Sequence, residues 1–156
     1  MDIELYRDFC KAKLAHKLYI TIYNYLVDIA NAPSETVSYP GREYEVCWER
    51  HTVDKAKQAL RAWKELADDY KNASQISEID KKFTLTEDET KTQICEWNNG
   101  FNQSKFDAMK EAIVEISKAH SHRFPDGLFD AFYRCYNDET IDVAKNCLER
   151  IQKYME

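Results

Sequence analysis

The sequence predicts a mainly α fold: a single domain over residues 1–156, built as a helical bundle around a long N-terminal helix, with one or two small β-hairpins at an edge. Three observations carry this. The stretch from Asp2 to Ala32 holds no proline or glycine until Pro33. The whole chain has only 3 Gly and 3 Pro, so special backbone sites are few and long helices are favoured. Further segments show one-sided apolar seams at helical spacing.

Between Leu18 and Ala30 nearly every residue of the first helix is apolar or aromatic. The polar exceptions, Lys17, Thr21, Asn24 and Asp28, form one narrow stripe. A helix of this kind, about 45 Å long at 1.5 Å per residue, is expected as a central post whose polar stripe alone reaches water.

After Pro33, residues 36–39 and 43–49 are expected as a hairpin turning at Pro40-Gly41, a pair suited to a type II turn. Tyr44, Val46 and Trp48 alternate with Glu43, Glu45 and Glu49, the period of a half-buried strand. Thr52 is an N-cap candidate with Asp54 in the first turn. From there Val53, Ala56, Leu60, Trp63, Ala67 and Tyr70 give a helix seam to about Asn72.

The pattern weakens from Ala73 to Phe101. A second hairpin of 82–86 with 92–97 competes with a helix through 86–98, capped at Thr86 with Glu89 three residues on. Ser104 with Asp107 resembles a capping box, opening a helix whose seam is Phe106, Met109, Ile113, Ile116 and His120, ending near Ser121. Residues 126–136 form a short aromatic segment. Asn137-Asp138 then caps a last helix with Ile141, Ala144, Leu148, Ile151 and Met155 along its seam. No internal repeat and no linker is evident along the chain, so a single undivided domain is expected.

Function is constrained chiefly by what is missing. The net charge of −6 and pI near 5.3 disfavour nucleic-acid backbones and suit a basic protein partner. Five cysteines without a CxxC spacing indicate neither a zinc cluster nor a disulfide framework, and reduced thiols in the cytoplasm are expected. Asp2, Glu4 and Asp8 do not suit a signal peptide, and no stretch suits a membrane span. His120 and His122, the only close histidine pair, point about 200° apart on a helix and cannot share a metal there. No phosphate loop, nucleophile elbow, metalloprotease pair or calcium loop occurs. The expectation is therefore no catalytic residues, no metal and no cofactor.

What remains is charge beside aromatics. Residues 34–51 hold four acids against two bases, 74–90 five against two, and 125–156 seven against four. Each lies next to tyrosine, tryptophan or phenylalanine, the makings of a surface that grips a basic partner. The candidate partner-binding residues are Tyr39, Glu43, Tyr44, Glu45, Trp48, Glu49, Glu87, Asp88, Glu89 and Trp97. The reading is a small acidic protein-binding protein, of the inhibitor, immunity or phage anti-defence kind, that blocks a basic nucleic-acid-processing protein. The alternative is a small helical enzyme or a ligand- or metal-binding domain with its site near Glu45–His51. A homodimer formed through the aromatic surface is a third reading.

Overall fold

A computed structural model describes residues 1–38, 41–123 and 133–153. It is mainly helical with a small antiparallel sheet. Helix α1 spans Ile3–Ala30, with the Asp2 carboxylate accepting from the Leu5 amide at 2.9 Å. Four further helices pack against it: α2 (Val53–Ala73), α3 (Glu87–Gly100), α4 (Gln103–Ser117) and α5 (Ile141–Lys153). Ile22, Leu26 and Ile29 of α1 meet Met109, Ile113 and Ile116 of α4 in the main core, all at most 2% exposed.

The post is enclosed on less of its surface than its composition suggests. Lys17, Asn24 and Asp28 face water as the polar stripe requires, but Ile20 and Tyr23 are also 42% and 37% exposed. The helix is too long and too apolar for its neighbours to cover every side.

Strands β1 (Ser34–Ser38) and β2 (Glu43–Trp48) form the expected hairpin, with Ser34 opposite Cys47 and Ser38 opposite Glu43. Gly41 has φ of 84°, the left-handed value that the third position of a type II turn needs. A third strand, β3 (Arg134–Tyr136), pairs antiparallel with the other edge of β2. It was not foreseen, because three residues are too few to show an alternation. His122 extends the sheet by one bridge, exchanging backbone hydrogen bonds with Arg134 at 2.7 and 2.9 Å.

A 3-10 turn, Glu49–His51, joins β2 to α2. Thr52 stands at the N-cap position, yet its side chain makes no capping bond. It is fully buried and faces the Cys47 thiol, Sγ to Oγ1 3.8 Å. The seam of α2 is buried at Val53 and Ala56 but runs out to an exposed Tyr70.

The middle segment is helix, not hairpin. Thr86 and Glu89 make both bonds of the capping box, at 3.2 and 3.3 Å, and three acids follow in the positive first turn. This local gain has no rival, since a 92–97 strand would carry polar residues on both faces. Helix α4 is capped by Asn102 rather than Ser104, its side chain accepting from the Lys105 amide at 3.1 Å. It ends at Ser117, four residues early, because the chain turns away to reach β3. His120 is consequently exposed beyond the helix. A second 3-10 turn, Asn137–Glu139, leads to α5, whose Ile141, Ala144 and Ile151 are buried as expected. The Met155 end of that seam and most of the aromatic segment before β3 lie outside the described residues.

Candidate partner-binding face

The pleat of β2 puts Tyr44, Val46 and Trp48 on one face of the sheet. Val46 is fully buried there, and Tyr44 and Trp48 are half-buried. From β3, Tyr136 brings its ring to 5.5 Å from Tyr44, with His122 at 5.1 Å on its other side. The Arg134 guanidinium lies 4.2 Å over the Trp48 ring and 3.2 Å from the Glu35 carboxylate. Arg134 is 6% exposed, so its charge is held among an aromatic face and an acid rather than offered to solvent.

Beside this cluster runs an open cleft of about 380 Å³ lined by Glu43, Tyr44, Glu45, Tyr136, Asn137, Asp138 and Asp142. Its carboxylates come from two distant parts of the chain. Glu43 and Glu45 stand on β2, Asp138 on the second 3-10 turn and Asp142 in the first turn of α5. The Thr36 hydroxyl donates to Glu45 and fixes one wall. Asn137 Oδ1 is buried yet has no hydrogen-bond partner among the described residues. A buried acceptor without a donor is costly unless an incoming group satisfies it.

Of the sequence candidates, Glu43, Tyr44 and Glu45 line this cleft, while Trp48 lies further along β2 under the Arg134 guanidinium. Glu49 is half-buried at the start of its 3-10 turn and does not line the cleft. Tyr39 lies outside the described residues. The remaining four sit elsewhere, on α3, which packs against α1. There Glu87 pairs with Lys91 at 3.1 Å, Asp88 is exposed, and Glu89 is spent on the cap. Trp97 packs on Phe9 at 5.2 Å and stacks on His16 at 5.9 Å, so it anchors helix to helix. Tyr136, Asn137, Asp138 and Asp142 were missed as site residues. Only the register of β3 on β2 brings them to Glu43 and Glu45.

The region near His51 is built differently. Arg50 Nε donates to His51 Nε2 at 3.4 Å, so the imidazole is an acceptor there. Burial lowers its pKa, and the charges of Arg50 and Lys55 lower it further. Cys47 and Cys135 are buried thiols whose pKa is raised by burial, Cys135 to about 12, which makes them poor nucleophiles. Among the described residues no three His, Cys, Asp or Glu side chains are grouped to hold a metal, and no helix is long and apolar enough to cross a membrane. The chain matches no family model, no curated protein and no solved structure.

Proposed function

We propose that this protein acts by binding another protein, and that the cleft between β2 and the start of α5 receives a basic segment of that partner. The observation that carries the reading is that Glu43, Glu45, Asp138 and Asp142 line one cleft together with Tyr44 and Tyr136. Four carboxylates around two tyrosines suit lysine or arginine side chains, whose stems pack on rings while their heads meet acids. An acidic protein gripping a basic surface suits an inhibitor or immunity-type protein, or a phage antagonist of host defence. Its target would be a nucleic-acid-processing protein, because such proteins carry basic faces.

The test compares the protein with a variant carrying E43K, E45K, D138K and D142K against candidate basic partners, in low and high salt. The reading expects a complex weakened by salt and abolished in the variant, with unchanged circular dichroism. A complex indifferent to both would overturn it.

A further inference from the structure

We infer that the chain contains two copies of one unit, a helix, a segment of the sheet and a second helix, described over residues 16–73 and over 103–123 with 133–153, packed about a pseudo-twofold axis between Cys47 and Cys135. The partner for which each unit is built is therefore the other unit, as in a symmetric dimer fused into one chain.

The sequences agree once the structure shows where to align them. Cys47, Thr52, Asp54, Ala56, Lys57 and Leu60 recur 88 residues on as Cys135, Thr140, Asp142, Ala144, Lys145 and Leu148. Trp48 and Val53 become Tyr136 and Ile141. In the preceding helices Leu26, Val27, Asp28 and Ile29 correspond to Ile113, Val114, Glu115 and Ile116, and Ala32 corresponds to Ala119. The helices align at an offset one residue smaller, so a single insertion separates the two stretches. It falls in the strand connection, where Glu35 faces Val46 in one unit and His122 faces Arg134 in the other.

The backbones agree as well. Thr52 has φ −129° and ψ −74°, and Thr140 has −131° and −73°, an unusual conformation used at both helix starts. Each follows a 3-10 turn whose first carbonyl accepts from the threonine amide at 3.1 Å. Each threonine carbonyl then accepts from Ala56 or Ala144, at 2.9 and 3.0 Å. Ala32 and Ala119 close their helices with the same bond, to Ile29 and Ile116, at 3.1 and 3.0 Å.

The arrangement also obeys a twofold rotation. Cys47 stands opposite Cys135 in the β2–β3 ladder, and the pairs Val46–Tyr136 and Trp48–Arg134 exchange places under it. Helix α1 packs on α5 as α4 packs on α2, while α1 and α4 meet at the axis. On the axis the Cys47 thiol meets the Thr140 hydroxyl of the other unit at 3.2 Å. A unit alone would leave one edge of β2 unpaired and Ile22, Leu26 and Ile29 uncovered. The segments outside the units belong together: Tyr6 and Phe9 of the first turns of α1 hold Phe83 at 5.1 and 5.0 Å.

Exchanging the helix starts within the full chain tests this. Residues 53–60 take the sequence of 141–148, and the reverse, through V53I, K55V, Q58N, A59C, I141V, V143K, N146Q and C147A. Equivalent sites predict one cooperative unfolding transition with Tm lowered by less than about 10 °C. Loss of folding, or two separate transitions, would contradict equivalence. An experimental structure of the unaltered chain gives a second reading. Cα atoms of 19–35 and 46–60 should superpose on 106–122 and 134–148 within about 2 Å, well below the ~10 Å spacing of packed helices. Absence of a common rotation would overturn the inference.

Discussion

In the first unit Tyr25 packs half-buried against the main core, and the second unit has Ala112 at the corresponding position. With alanine there, a groove of about 300 Å³ remains between α4 and α5, walled by Glu111, Glu115 and Arg150. Outside the axis the units diverge in the same way. Ile20 and Tyr23 are exposed on α1 where α4 has Asp107 and Lys110, and Arg50 stands where the other unit has Asp138. Several buried positions kept their residues: Cys47 and Cys135, Thr52 and Thr140, Ala56 and Ala144 are each at most 2% exposed, although buried Val46 corresponds to Arg134. The contrast teaches where the constraint lies. Close packing permits few substitutions at a shared core, while water accepts almost any polar or singly exposed residue. The acidic cleft draws on both kinds of position: Asp138 stands where the first unit has Arg50, whereas Asp142 has its counterpart in Asp54.

The comparison can be broken most severely in the core. Leu26 and Ile113 hold corresponding positions, both fully buried. L26A and I113A are each expected to cost about 3 kcal/mol in urea unfolding. A near-neutral result at either site would mean that the two helices are not packed alike.

Titration of the axis comes next. The Cys47 and Cys135 thiols have folded pKa values raised above the ordinary 9.0, Cys135 to about 12. The unfolded chain therefore loses these protons first as pH rises. Their stabilising contribution is complete below pH 9 and is lost as pH climbs from there towards about 12. Denaturation midpoints followed over this range should fall, and less steeply in a C47A/C135A variant. An equal slope in both would remove the thiols from the account.

Smaller effects separate the threonines. Thr140 Oγ1 contacts the Cys47 thiol at 3.2 Å and donates to the Tyr136 carbonyl at 3.3 Å, whereas the Thr52 hydroxyl lies 3.8 Å from that thiol. T140V should cost about 1.5 kcal/mol and T52V about 1 kcal/mol. Thermal unfolding of the two variants, giving the reverse order, would show that the hydroxyls are not placed as described. Smallest of all is the surface change I20D with Y23K, which gives the first unit the residues of the second. It should alter stability by less than about 0.5 kcal/mol in the same assay.

Much of this architecture was legible in the sequence. The seams of α2, α4 and α5, the unbroken run of α1 and the pairing of β1 with β2 each depend on local spacing, and local spacing is what a sequence displays. The duplication was not legible. Its shared residues are separated by unlike ones, Glu49-Arg50-His51 against Asn137-Asp138-Glu139, and one insertion breaks the alignment between helix and strand. Strand β3 was hidden because its pairing is fixed by β2 and not by its own three residues. Half of the cleft was visible as alternating glutamates beside Tyr44. The other half needed Cys47 set opposite Cys135, a long-range register that no composition reveals.

Hydrogen exchange of the intact protein addresses the central claim, that the two units share one core and open as one. The amides of Ala56 and Ala144 occupy matching bonds at the two helix starts. They should exchange at closely similar slow rates, both shifting with denaturant as global unfolding does. Exchange orders of magnitude faster at one than at the other would show two separately stable pieces and contradict the account.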